Sequence, residues 1–230
     1  MTGRRSICFY TPSSDPSGMG AHMLDLIDAF AGTVDVSLMA RETPRAQWLL
    51  DRGSELGART LPLPSPRDPR FGPLITGFLA AHPAEVFHCH VGTGSENWDG
   101  VRLARRAGCP VVLQTQHLPY ALSSPRRREA FFRSITPVDG LIAVSDGLRR
   151  TYERIGVQAG CFTTVANGIA PLTSRMSRTE ARQALGLTPE QPVVLTIGRL
   201  THMKAQWQLV DAVPELATRF PGLAVVLLGD

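Results

Sequence analysis

Two cations, three histidines and a pair of glycines are the residues of this chain whose types and spacing could do chemistry. Arg199 and Lys204 follow the apolar run Val193 to Ile197, which Gly198 ends. A guanidinium grips two oxygens with a planar fork and an ammonium acts as a compact point charge, so the pair suits a diphosphate. His90 closes the run Val86 to His90, and His117 follows Val111 to Gln116, so both stand at the ends of strand candidates. His22 comes after Ser17-Gly18-Met19-Gly20-Ala21, a segment that joins the first strand candidate to the first helical stretch. Glycine at two positions there lets the backbone approach a ligand next to the free N–H groups of a helix start. The segment is not the dinucleotide fingerprint, because Met23 occupies the place of the third glycine.

Each of these residues has a plainer reading. A histidine at a strand end is as often a hydrogen-bonded structural residue as a catalytic one. His88 and His90 share a strand face and could chelate a metal with His117 or Cys109 as third ligand, but separate strands would have to assemble that set, and no metal is expected. Ser145 before Asp146-Gly147 caps a helix, and Asn167-Gly168 makes a turn. Ser145 stands in no G-x-S-x-G context, so a hydrolase nucleophile is unsupported.

The elements that must carry these side chains alternate between apolar strand candidates and helical stretches, which predicts α/β layers with a mainly parallel sheet. Strands are expected at Ile7 to Tyr10, Val34 to Ala40, Arg59 to Leu63, Val86 to His90, Val111 to Gln116, Leu141 to Val144 and Phe162 to Val165. Two more are expected at Val193 to Ile197 and Leu223 to Leu228. The first helix should begin immediately after the glycines, with Met19, Met23, Leu26, Ile27 and Phe30 on one face and Asp25 and Asp28 turned to water. Prolines at 62, 64, 66, 69 and 73 mark an irregular connection. Another stretch without periodicity follows Asn167-Gly168, and Ser177 with Glu180 reads as a capping box for a helix that Gly186 ends. The expected domains are therefore residues 1–172 and 173–230. The second, with two strands only, cannot cover a parallel sheet on both faces, so the sequence reads as cut short. Pro214 lies inside the helix that begins near Met203, where a kink or a restart is expected.

At 230 residues, 43% hydrophobic and with a mean hydropathy of -0.02, the chain has the apolar mass for a sizeable core. No apolar run approaches the roughly 20 residues of a membrane-spanning helix, and Ile7 to Tyr10 is too short for a secretory signal, so the reading is cytoplasmic. The four cysteines form no C-x-x-C pair and read as reduced thiols. The net charge of +4 comes largely from arginine, grouped at 102, 105 and 106, at 126 to 128, and at 149, 150 and 154. Solvated helix faces explain such groups, and peripheral contact with an acidic membrane is the alternative. No aromatic residues interleave with them, which argues against nucleic acid.

The succession of landmarks resembles the retaining glycosyltransferases of the two-domain GT-B type, family 4. These are Gly18-x-Gly20-x-His22 before Leu24-Asp25-Leu26, then His88-Cys89-His90, then Val111 to Thr115 with His117. Leu141-Ile142-Ala143-Val144-Ser145, Val165-Ala166-Asn167-Gly168-Ile169 and Ile197-Gly198-Arg199-Leu200 with Lys204 complete the order. The resemblance implies two Rossmann-like domains around a cleft, the second only partial here. It implies that a nucleoside-diphosphate sugar donates to a hydroxyl of a glycan or lipid-linked saccharide, without cofactor or metal. Arg199 and Lys204 match the family's diphosphate-binding pair, and Gly18 and Gly20 its flexible loop. His117 matches a histidine beside the donor sugar, and His22 and His90 fall on the acceptor side of the cleft. The chain departs from the family in having Ala205 where Lys-Gly is usual and Ala170 where an Asp is usual, and it ends before the expected pair of glutamates that contact the donor. A non-catalytic module, or a nucleotide-sugar epimerase on the same fold, are the alternative readings.

Overall fold

The structure, a computed structural model, describes residues 4–92, 96, 98–119, 124–169 and 176–229. The chain divides into two compact units, Met1–Ile169 and Ala170–Asp230. The expected boundary at 172/173 lies in 170–175, outside the described residues.

In the first unit, seven strands form one parallel sheet: β1 (Ser6–Tyr10), β2 (Asp35–Arg41), β3 (Arg59–Leu63), β4 (Val86–Val91), β5 (Val111–Gln116), β6 (Gly140–Ala143) and β7 (Phe162–Thr164). Their spatial order is β3-β2-β1-β4-β5-β6-β7. The helices are α1 (Ser17–Phe30), α2 (Gln47–Glu55), α3 (Phe71–Ala81), α4 (Trp98–Arg106), α5 (Pro125–Ile135) and α6 (Asp146–Arg154). The strand runs are mostly apolar because both faces of the sheet are covered, with polar residues such as His88, His90, Gln114 and Gln116 among the buried exceptions. Phe9 and Leu38 pack with Met23 and Ile27 of α1 and Leu49 and Leu50 of α2. The alternate residues Cys8, Tyr10, Phe87 and Cys89 pack on the other face with Ile75 and Leu79 of α3 and Val101 and Ala104 of α4. A smaller core gathers Phe131 of α5, Leu141 and Ala143 of β6 and Leu148 and Tyr152 of α6.

The proline-rich span is more regular than its composition suggests. Pro62 sits in β3, an edge strand, where a missing N–H costs no ladder bond on the open side. Pro73 falls in the first turn of α3, where the N–H would be unpaired in any case. Between them Arg70 folds back on Asp68, donating from its backbone N–H at 2.8 Å and from its guanidinium at 2.8 and 3.0 Å.

The second unit holds α7 (Arg178–Ala184), β8 (Val193–Ile197), a 3-10 turn at His202–Lys204, α8 (Gln206–Arg219) and β9 (Ala224–Leu228). β8 and β9 pair in parallel, with Val193 opposite Ala224 and Ile197 opposite Leu228. The capping box forms: Glu180 N–H donates to Ser177 Oγ at 3.2 Å and Ser177 N–H to Glu180 Oε2 at 2.7 Å. One expectation fails here. The helix begins at Gln206 rather than near Met203, because Ala205 takes a left-handed backbone, φ 56°, that ends the 3-10 turn. It runs through Pro214 without a restart. Proline removes a single bond, the one to the carbonyl of Val210, and that residue is 49% exposed, so water can satisfy it.

Candidate functional site

The chain leaves β1 for β2 and β3 and then returns past β1 to β4, so the sheet reverses its order between β1 and β4. In open parallel sheets the crevice outside the carboxyl ends of strands at such a reversal is where ligands bind. Three of the chemistry-bearing residues arrive there from three elements. His22 stands on the second turn of α1, His90 near the end of β4, and His117 directly after β5. The backbone holds His117 in place because the ladder continues past the strand: its N–H donates to Val91 O at 3.0 Å, and Leu118 N–H donates to Gly92 O at 3.1 Å.

The rings touch. His90 Nδ1 and His117 Nε2 are 3.2 Å apart, and the His22 ring centre is 5.6 Å from that of His90 and 5.2 Å from that of His117. His90 is fully buried, while His22 and His117 are partly open. Burial removes the water that would stabilise an imidazolium, so all three titrate below the ordinary histidine value. His117 is brought down to about 4, with the neighbouring His22 a second cause. Near pH 7 the cluster is therefore neutral, each ring presenting one N–H donor and one bare nitrogen. Such a surface can orient hydroxyl groups, and it carries no proton to release as an imidazolium acid.

His88 does not join the set: its Nε2 is 2.8 Å from Thr115 Oγ1, and burial lowers it to about 3. Cys109 lies in the core on the other face of the sheet. The metal set weighed from the strand spacing, His88 and His90 with His117 or Cys109, is thus not the set that the fold gathers. His22 takes the third place because α1 packs across the face to which β4 turns His88 and His90.

The glycines are also placed differently from expectation. Gly18 and Gly20 lie inside the first turn of α1, which starts at Ser17, and not in a loop ahead of it. Gly18 is exposed with open space around it. Gly20 is buried, and a Cβ there would lie 3.0 Å from both the Trp48 ring and Pro16 Cβ. Its missing side chain is a packing requirement between α1 and α2.

Sequence reading missed Tyr152. Its hydroxyl lies 3.1 Å from Gln116 Oε1 and donates to Leu118 O at 3.0 Å, the residues on either side of His117. Tyr152 sits four residues after Leu148 on one face of α6, a spacing that reads as core and carries no sign of a polar duty.

In the second unit, Arg199 and Lys204 share the loop at the carboxyl end of β8. Lys204 is exposed, and its stem passes beside Gly198, where an added Cβ would be 3.8 Å from its Cδ. Gln206, buried at the start of α8, donates from Nε2 to Gly198 O at 3.2 Å and Arg199 O at 3.0 Å, which pins the loop. Sequence reading missed this residue too. The arginine groups are partly structural: Arg105 pairs with Asp139 and donates to Pro137 O at 2.9 Å, and Arg149 bridges Asp146 and Glu153 at 3.3 and 2.6 Å. Among the described residues no helix is long and apolar enough to cross a membrane.

Comparison with solved structures finds the same fold in longer chains. Anabaena HepE in complex with UDP matches over 96% of this chain and 60% of its own, with a TM-score of 0.76 and 18% identity. A glycosyltransferase from Rickettsia africae matches over 99% of this chain and 61% of its own, with a TM-score of 0.76 and 13% identity. A UDP-GlcNAc 2-epimerase from Neisseria meningitidis, bound to UDP-GlcNAc, matches over 97% of this chain and 64% of its own, with a TM-score of 0.62 and 13% identity. The chain thus spans about 60% of the length of HepE, and the fold they share is α/β and Rossmann-like, of the GT-B type. No curated protein matches it in sequence. The family model described as a glycosyl transferase 4-like domain matches residues 17–168, the stretch that contains His22, His90 and His117. The chain belongs to the glycosyl transferase 4-like domain family.

Proposed function

We propose that this chain is part of a retaining glycosyltransferase that moves a sugar from a nucleoside-diphosphate sugar to a hydroxyl of a glycan or lipid-linked saccharide. The observation that carries the reading is the convergence of His22, His90 and His117 outside the carboxyl ends of neighbouring strands at the reversal of the sheet. Family membership and the neighbours solved with UDP and UDP-glucose support it. In this reading the first unit orients the acceptor with His22 and His90, and His117 stands beside the donor sugar. The second unit holds the donor diphosphate with Arg199 and Lys204, whose charges neutralise the departing nucleoside diphosphate, the largest charge that develops. Two cations suffice for that role without a metal or cofactor. We assign the chain to the cytoplasm, where Arg126 and Arg128 on the exposed face of α5 would meet acidic lipid headgroups at a membrane surface.

The test is acceptor-dependent release of nucleoside diphosphate from labelled nucleotide-sugars, together with calorimetry of donor binding. Lys204→Ala is expected to weaken donor binding by about tenfold, the loss of one charge-assisted contact. Unchanged donor affinity would remove the assignment of the pair. A second reading, epimerase, is favoured by the likeness to UDP-N-acetylglucosamine 2-epimerases. It predicts free epimerised nucleotide-sugar in the absence of any acceptor. A third, a non-catalytic acceptor-binding module, predicts acceptor binding with no turnover.

A further inference from the structure

We infer that His22, His90 and His117 form a binding site for one divalent transition-metal ion of the zinc, nickel and copper class. Among the described residues they are the set of three metal-ligating side chains whose ligand atoms converge, all within 4.8 Å of one another. The geometry is close to what such an ion needs. Two imidazole nitrogens on one tetrahedral zinc, each at about 2.0–2.1 Å, are about 3.3 Å apart. His90 Nδ1 and His117 Nε2 stand at 3.2 Å. Even at the outer limit of 4.8 Å on every side, a central ion would be about 2.8 Å from each nitrogen, so side-chain rotation of less than about 1 Å closes the shell.

The chemistry of the set selects the ion. Three neutral nitrogens and no carboxylate suit borderline ions such as Zn²⁺, Ni²⁺ and Cu²⁺, and offer nothing to Mg²⁺ or Ca²⁺, which require oxygen. His90 is fully buried, and its Nε2 has no hydrogen-bond partner among the described residues. When Nδ1 accepts from His117, the N–H of His90 is an orphaned buried donor; when Nδ1 donates, the bare nitrogen is. An ion held by Nδ1 would leave Nε2 as the N–H, directed away from the ion, so the case for the site rests on the convergence of the three ligand atoms. His22 and His117 are only partly buried, so the ion has an entry path, and three protein ligands leave a fourth position for water or an anion.

An ion bound there occupies the nitrogens that the proposed function gives to substrate. It would therefore act as a reversible inhibitor and not as a catalyst, a consequence that rests on that reading. The experiment is titration of the chelator-stripped full chain with Co²⁺, followed by its visible d–d absorption, and with Zn²⁺ by calorimetry. One equivalent of each is expected, with a tetrahedral Co²⁺ spectrum that Zn²⁺ displaces, and no heat with Mg²⁺. His22→Ala and His117→Ala, on partly open positions that leave the core intact, should each weaken Zn²⁺ binding by at least about tenfold. Absence of the Co²⁺ spectrum, or equal Zn²⁺ affinity in the double variant, would overturn the site. The spectrum needs no turnover, so it decides the site even where transferase activity fails. Transfer that continues unchanged at saturating Zn²⁺ would overturn the inhibitory consequence.

Discussion

Tyr152 illustrates how one hydroxyl can set the position of a site that it does not enter. It contacts the side-chain oxygen of Gln116 and the backbone carbonyl of Leu118, and so ties down the residues on both sides of His117. Tyr152→Phe keeps the buried ring against Phe131 and Phe162 but strands those polar groups. A loss of about 1–3 kcal/mol is expected, read as a lower urea midpoint. Nothing in the sequence linked this tyrosine to His117, since the contact spans distant elements and its helical spacing signals only core. His22, His90 and His117 were legible as individual residues, through their places at strand ends and after the glycines. Their mutual contact was not, and neither was the diversion of His88 to Thr115.

At the scale of elements, helix packing decides which glycines matter. Gly100 on α4 drew no attention as a sequence position, yet a Cβ there would lie 2.3 Å from the buried Tyr10 ring of β1. Gly100→Ala gains about 1 kcal/mol of helix propensity. It loses more, because overpacking a filled core costs about 1–3 kcal/mol and this clash is severe. Net destabilisation is expected in thermal unfolding. Ala205 offers the opposite case. Its φ of 56° burdens a Cβ with about 1–2 kcal/mol, whereas glycine adds about 0.4–1 kcal/mol of unfolded-state entropy. Ala205→Gly should raise the stability of the second unit by about 1 kcal/mol or less, measured by denaturant unfolding. This backbone requirement explains why Lys-Gly suits the place where the chain has Lys204-Ala205.

At the scale of the whole molecule, a neutral histidine cluster makes stability depend on pH. His88 titrates at about 3 and His117 at about 4 in the fold, against 6.5 for the exposed side chain. Below 6.5 the unfolded chain binds more protons than the folded one, so stability falls as pH drops from about 6.5 to about 3. The urea midpoint of the first unit should decline across that window, and His88→Gln, which keeps a partner for Thr115, should flatten the decline. The sequence by itself determined the alternation of strands and helices, most strand limits to within a residue, the capping box at Ser177 and the parallel sheet. Each of these is written in a local pattern of burial or in a local hydrogen bond. Strand order, the meeting of His90 with His117 across 27 residues and the close approaches at Gly20 and Gly100 were decided only by tertiary structure. Parallel strands pair with partners remote in sequence, and no short window of residues records which strand will lie beside which.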